Sequence, residues 1–278
     1  MIDAHQHFWN YDEERDSWIT PEMSIIRTDF YPDEEYFRSK GIEGCVAVQA
    51  DSSEDETLFL LALAEQSNFI RGVVGWVDLQ QADIEDRLAY FSQFETLKGF
   101  RHVVQGENDP NFLAKSEFLR GVRALDAFDY TYDLLILPHQ LAAGIQFCQS
   151  LDQKIVLDHL AKPPIKSGDL TAWKKEMQAF KSMEHVHAKI SGLVTEADWK
   201  HWTATQINEV IDVALEVFGA DRLLFGTDYP VVKVAADLEK WIEVYESSIQ
   251  SLSRTEQEKI NHLNCINFYT LDEYEFRT

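Results

Sequence analysis

Eight short β-rich runs recur along this chain, each separated from the next by enough residues for a helix, and this rhythm limits the fold more than any single motif does. The runs cover residues 2–7, 44–50, 72–79, 97–104, 132–137, 154–160, 187–193 and 222–229. Several are apolar almost without a break, as in Val73-Val74-Gly75-Trp76-Val77 and Ile155-Val156-Leu157. That pattern suits parallel strands covered on both faces better than half-exposed hairpins. The intervening segments read as helix. Over residues 203–218, Ile207, Val210, Ile211, Ala214, Leu215 and Phe218 form one stripe, opposite Asn208, Glu209, Asp212 and Glu216. Residues 54–67 repeat the pattern with Leu58, Leu61 and Ala62, and Ser253-Arg254-Thr255-Glu256 reads as a capping box opening a terminal helix with Ile260, Leu263 and Ile266.

Parallel neighbours need such crossovers, so strand and helix alternate for a topological reason. Eight strands, with polar residues ending both the first and the last, favour a closed (β/α)8 TIM barrel over a doubly wound sheet. A barrel of 278 residues is one domain, spanning 1–278. Residues 8–43, with Trp9, Trp18, Pro21 and Pro32, read as a loop followed by a helix that contributes to the active-site rim.

Composition narrows the partners. Forty-eight Asp and Glu against 25 Lys and Arg give a formal charge of −23. Such a surface repels phosphate backbones and acidic membranes, so neither nucleic acid nor membrane is expected as a partner. The remaining expectation is a small molecule, and assembly into a homo-oligomer stays open. Cys45, Cys148 and Cys265 lie far apart in apolar surroundings and read as reduced, buried thiols. The chain opens Met1-Ile2-Asp3-Ala4-His5 without a basic region or apolar leader, which sets a cytoplasmic expectation.

Chemistry gathers at the strand ends. His5 and His7 are two apart on an extended segment, so both rings point to one side, as two imidazoles must to meet one ion or substrate. Asp3 beside them could bind backbone amides or orient a histidine. Phe225-Gly226-Thr227-Asp228-Tyr229-Pro230 ends the last run, and barrel closure would set it beside the first. Asp228 could bind a metal, take a proton from water or do both; the plain alternative is a turn aspartate before proline. His159 could be a ligand, a proton relay or a donor to a carbonyl, whereas Asp158, one residue out of phase, is expected to face the helices. Arg101 could clamp a carboxylate or polarised oxygen, with a surface ion pair as the plain alternative. His102 could bind a hydroxyl or shuttle a proton, and only one of the two should face inward on a regular strand. Lys162 is a further electropositive contact. Trp9, Trp76 and Tyr229 read as pocket walls, with a core role equally open for Trp76. Phosphate-cradling glycine loops, a CxxC knuckle and a Gly-x-Ser-x-Gly elbow are all missing.

In these elements the chain resembles the amidohydrolase-related proteins of the dicarboxylate-lactonase and sugar-lactonase branch. The matching features are Ile2-Asp3-Ala4-His5-Gln6-His7-Phe8-Trp9, Gly99-Phe100-Arg101-His102, Leu157-Asp158-His159-Leu160-Ala161-Lys162-Pro163 and Phe225-Gly226-Thr227-Asp228-Tyr229-Pro230. The resemblance implies a barrel of the metal-dependent hydrolase type that opens small lactones, foremost sugar-derived aldonolactones. It implies a divalent metal, zinc first, on His5, His7 and Asp228, with His159 or His139 completing the site, although metal-free lactonases also exist in this branch. Asp228, His159 and His102 are then the expected catalytic groups. Metal-dependent decarboxylation of a small carboxylic acid and ligand binding without turnover are the alternatives.

Overall fold

The structure, a computed structural model, describes residues 1–272. Its strands run in chain order around one eight-stranded parallel sheet: β1 (Ile2–Gln6), β2 (Gly44–Val48), β3 (Ile70–Gly75), β4 (Leu97–His102), β5 (Thr131–Leu134), β6 (Ile155–Leu157), β7 (Val186–Ile190) and β8 (Leu223–Phe225). The crossovers carry α1 (Glu34–Ser39), α2 (Glu54–Gln66), α3 (Ile84–Phe91), α4 (Ser116–Ala124), α5 (Leu141–Gln149), α6 (Thr171–Met177) and α7 (Ala204–Phe218). After β8 come α8 (Leu238–Ile249), α9 (Arg254–Glu258) and α10 (Asn264–Tyr269). Closure joins the first strand to the last. The His7 N–H donates to the Tyr229 carbonyl at 2.7 Å and the Asp228 N–H to the His5 carbonyl at 2.9 Å. The expected (β/α)8 barrel is thus the fold observed.

Two apolar clusters fill it. The larger lies between sheet and helices; the smaller brings Ile2, Ala4, Val46, Val74, Val156 and Leu224 together inside the barrel with Phe268 and Tyr269 of α10. The three cysteines are buried and free. No helix among the described residues is long and apolar enough to cross a membrane.

Each expected run overlaps one strand, but the ends differ. β6 stops at Leu157 and β8 at Phe225, because His159, Leu160, Ala161, Lys162 and Asp228 all adopt left-handed backbone, with φ between 51° and 58°. Extended pairing cannot continue through that conformation. Helix faces differ too. In α2 the buried residues are Glu56, Thr57, Leu60, Leu61 and Ala64, whereas Leu58 and Ala62 are exposed. Polar side chains take part of the inner face here: the Thr57 hydroxyl donates to the Trp76 carbonyl at 2.9 Å and accepts the Trp76 N–H at 2.8 Å. In α7, Val213 and Val217 join the buried face while Leu215 is only partly covered. The Ser253/Glu256 capping box forms as expected, but a π turn over Lys259–Leu263 rotates α10 relative to α9. Ile260, Cys265 and Phe268 are therefore buried, and Leu263 and Ile266 only partly so.

Residues 8–43 form a loop, a 3-10 turn at Pro21–Ile26 and then α1. Trp9 pairs with Phe30 in an isolated antiparallel bridge and packs with Ile19 and Ile26 in a separate small cluster.

One close approach makes the packing testable. A Cβ on Gly121 of α4 would fall 1.8 Å from the Leu79 carbonyl oxygen. Gly121→Ala should therefore lower stability by about 1–3 kcal/mol, the usual cost of overpacking, read as a reduced urea midpoint at unchanged m-value.

Candidate active site

Closure places the end of β1 against the turn after β8, and a single carboxylate fastens them. Asp3 accepts the His5 N–H at 3.0 Å, the Gln6 side-chain amide at 2.7 Å, the Thr227 N–H at 2.8 Å and the Thr227 hydroxyl at 2.5 Å. This is the backbone-binding role among those expected for it. Burial raises the Asp3 pKa to about 6 against the pull of these four donors.

Above that staple, the imidazoles converge on Asp228. Its Oδ1 lies 3.3 Å from His7 Nε2, 3.8 Å from His5 Nε2 and 3.9 Å from His159 Nε2. Burial alone would raise the Asp228 pKa, but His159, His7 and His5 together hold it below the usual carboxylate range. Burial lowers His5 well below an ordinary imidazole and takes His159 down to about 4. At neutral pH the cluster is therefore two uncharged imidazoles around a carboxylate, with His7 beside them.

Hydrogen-bond partners set which ring nitrogens are free. His7 Nδ1 lies 2.7 Å from the Val48 carbonyl oxygen, which can only accept, so Nδ1 is a donor, and Nε2 faces the Asp228 carboxylate at 3.3 Å. His5 Nδ1 lies between Lys189 Nζ at 3.1 Å and Asp158 Oδ1 at 3.3 Å, and its Nε2 is 3.3 Å from the Arg101 guanidinium. The Nε2 atoms of His5 and His7 lie 3.2 Å apart with the Asp228 carboxylate adjacent. His5, His7 and Asp228 therefore fit a divalent ion, and His5, Asp158 and His159 form a second cluster sharing the same ring.

Asp158 does not face the helices, contrary to expectation. It is fully buried inside the barrel, 3.0 Å from Arg101 and 3.0 Å from Lys189. The regular strand ends at Leu157 and leaves Asp158 in the inward phase of Val156; the left-handed turn then swings His159 back into the same cavity. His159 is fixed there by Ser191, 2.8 Å from Nδ1. Gly192, at φ 63°, lets the backbone pass: a Cβ would lie 2.7 Å from His159 Nδ1 and 2.9 Å from Asp228 Oδ2.

The other expected residues separate cleanly. His7, His159, Asp228, Arg101 and Lys162 line one cavity of about 370 Å³. Arg101 takes the inward phase of β4, but its fork is already occupied by Asp158 and the Gln49 carbonyl, so no bidentate clamp remains for a substrate. Only its Nε is without a partner among the described residues. His102 takes the outward phase, stacks on Phe112 at 4.8 Å and contacts Glu107 at 2.7 Å. It is held away from the imidazole cluster, as is Trp76, whose indole N–H points to His102. Trp9 sits behind the wall, edge-on to Trp18, and Tyr229 packs on Phe30 and Phe37. Trp18 and Trp199 line the cavity in their place. His139 is exposed in the 3-10 turn after β5 and belongs to neither ligand cluster.

Sequence reasoning missed Lys189 and Asp133. Lys189, fully buried in β7, pairs with Asp133 at 2.5 Å and with Asp158, and Tyr269 donates to the same Asp133 oxygen at 2.8 Å. The signal was present: a lone charge between Ala188 and Ile190, and another between Tyr132 and Leu134, can be tolerated in covered strands only as partners.

A barrel with histidines and an aspartate at the C-terminal strand ends is a donor set suited to a divalent ion, and comparison with known proteins gives its family. The amidohydrolase family profile matches residues 2–271, and the chain belongs to that family. It is 36% identical to an L-fucono-1,5-lactonase of Burkholderia multivorans, over 98% of this chain and 96% of that protein. A second L-fucono-1,5-lactonase, from Burkholderia ambifaria, is 31% identical over the same shares of the two chains. A crystal structure of an amidohydrolase from Burkholderia multivorans with bound zinc superposes with a TM-score of 0.94 at 36% identity, covering 98% of this chain and 99% of that one.

A buried carboxylate outside the cluster governs the rim. Glu56 accepts the N–H groups of Ala50 and Asp51, and so holds the loop after β2 that lines the cavity. Burial raises its pKa to about 7, the Asp51 charge adds to the rise, and the two amides and Arg15 oppose it. The unfolded chain ionises Glu56 near 4.5, so between pH 4.5 and 7 the folded state holds the extra proton. Stability should fall as pH rises through that window, by about 3 kcal/mol at most. Glu56→Gln should flatten this slope, measured as urea midpoints at about pH 4.5, 5.5, 6.5 and 7.5.

Proposed function

We propose that this protein hydrolyses a sugar-derived aldonolactone, a neutral cyclic ester, to its open-chain hydroxy acid. The observation that carries this reading is the state of the cavity's cations. Among the described residues, Arg101 and Lys162 are the cations lining it, and each already faces a carboxylate, Asp158 at 3.0 Å and Glu196 at 3.1 Å. A carboxylic acid awaiting decarboxylation, or a lactone bearing carboxylates, would enter a chain of net charge −23 and meet no uncommitted side-chain cation. A neutral lactone meets no such obstacle. The relatives named L-fucono-1,5-lactonase support a six-membered ring. The exocyclic methyl of such a lactone suits the apolar wall formed by Met23, Ala50, Val231 and Val234.

Asp228 is the base in this reading. Its Oδ1 faces the imidazoles while Oδ2 lies toward Gly192, so one oxygen can be held and the other used. The carboxylate takes a proton from water as the water oxygen bonds to the lactone carbonyl carbon, and the carbonyl electron pair moves onto its oxygen. Collapse re-forms the carbonyl, breaks the ring C–O bond and passes the proton from Asp228 to the departing oxygen. His159, held by Ser191, keeps Nε2 beside this exchange. A zinc ion on His5, His7 and Asp228 would polarise the carbonyl and acidify the water.

Two measurements test this. Acid release from a panel of aldonolactones and aromatic-derived lactones should show ring opening at unchanged carbon count. Carbon dioxide without ring opening would establish a decarboxylase instead, and binding without product a non-catalytic protein. Asp228→Asn should stay folded while turnover falls by at least about 100-fold. Metal content measured beside it separates base from ligand: retained zinc with lost activity supports the base role, and full activity with an intact fold rejects it.

A further inference from the structure

The cavity lining has an apolar part and a polar part. Met23, Ala50, Val231 and Val234 form a continuous apolar wall, because the 3-10 turn of the rim excursion packs on the turn after β8. None of these side chains can donate a hydrogen bond, and the Met23 thioether accepts one only weakly. The loops after β4, β6 and β7 contribute Gln105, Lys162 and Glu196 to the same cavity, and the turn that ends at Glu196 packs beside the turn that carries Val231 and Val234. The Gln105 side-chain oxygen is buried with no partner among the described residues. Lys162 and Glu196 are each about one-fifth exposed and pair at 3.1 Å.

Both members of that pair are held from behind. Lys162 ends the left-handed run that begins at His159, and its N–H returns to the His159 carbonyl at 2.9 Å. Its position is thereby tied to an imidazole of the reaction centre. Glu196 ends a 3-10 turn whose Thr195 hydroxyl donates to the Gly192 carbonyl at 2.6 Å. The Trp199 indole N–H donates to the Thr195 carbonyl at 2.9 Å, and the Trp199 ring also lines the cavity. A surface ion pair on two long side chains usually contributes little and is loosely held. This one is anchored on both sides and opens onto the cavity, which fits a recognition group better than a stabilising one.

We infer that Glu196, held by Lys162, is a specificity-determining residue that accepts hydrogen bonds from ring hydroxyls of the lactone. Lys162 donates to a neighbouring hydroxyl oxygen, and Gln105 offers a second acceptor. A carboxylate engages a hydroxyl donor strongly, and a site built for hydroxyls discriminates against ligands that lack them. Together with the apolar wall, the pair orients the ring so that its hydroxyls turn toward the loops after β4, β6 and β7. This assignment rests on the sugar-lactone reading.

The test compares L-fucono-1,5-lactone with δ-valerolactone, a six-membered lactone without hydroxyls. For Glu196→Ala, the ratio of kcat/KM on the sugar lactone to kcat/KM on δ-valerolactone should fall by about 10-fold or more, the scale of a hydrogen bond to a charged group. Glu196→Gln keeps one acceptor oxygen and nearly the same shape, so it should fold normally and lose a smaller part of the ratio. If δ-valerolactone turns over too slowly, its Ki against the sugar lactone replaces its kcat/KM. An unchanged ratio in both variants, including an equal loss on both lactones, overturns the Glu196 assignment alone. Wild-type protein that opens neither ring overturns the sugar-lactone reading itself, and the assignment with it.

Discussion

Everything at the mouth of this barrel depends on how the first strand is fastened to the last. Asp3 does this without a cation, receiving two backbone and two side-chain donors from both sides of the seam. A carboxylate buried that deeply would be costly if left unmet, and the rise of its pKa to about 6 shows that the four donors offset burial only in part. The return is geometric. With β1 and β8 locked in register, the His5 carbonyl meets the Asp228 N–H, and the ring of His7 comes within 3.3 Å of the Asp228 carboxylate. The residue that closes the barrel therefore also assembles the site.

Beneath the imidazoles lies a second set of charges that chemistry alone would not require. Arg101 and Lys189 face Asp133 and Asp158 in a fully enclosed network. Burial and the opposing charges pull against each other at each group. Lys189 ends with a raised pKa because Asp133 and Asp158 outweigh burial, and Asp158 ends well below its usual range because Lys189, His5 and Arg101 do. Buried pairs of this kind are weak contributors to net stability, since desolvation consumes most of the Coulombic gain. Their value here is directional: Asp158 has an oxygen 3.3 Å from His5 Nδ1, so the network orients the ring that both ligand clusters share.

The barrel was legible in the sequence because parallel strands covered on both faces must be apolar, and Val73–Val74 and Ile155–Leu157 are. His5, His7 and Asp228 were legible because they sit where such runs turn polar. What escaped is what periodicity cannot encode. Alternation put Asp158 outside, but β6 ends at Leu157 and the four residues after Asp158 are left-handed, so Asp158 and His159 both point inward. The same alternation, where β4 stays regular, correctly allowed only one of Arg101 and His102 to enter. Lys189 and Asp133 left a readable trace as isolated charges within apolar strands. Glu196 left none, since a glutamate in a polar loop looks the same whether it faces solvent or a cavity. His139 shows the converse, a histidine after a strand that is simply exposed.

Charge also favours a neutral substrate. The reaction converts an uncharged ester into a carboxylate, so an acidic protein repels its product and not its substrate. A free lysine or arginine in the cavity would reverse this by holding the anion after ring opening. Arg101 is committed to Asp158 and Lys162 to Glu196, so neither cation lining the cavity among the described residues carries an unbalanced charge. The Lys162–Glu196 pair thus serves two ends with one contact: it presents an acceptor and a donor to hydroxyls, and it cancels the positive charge that would otherwise retain the acid. Hydroxyl recognition by a neutralised pair is compatible with release of an anion; recognition by an isolated cation would not be.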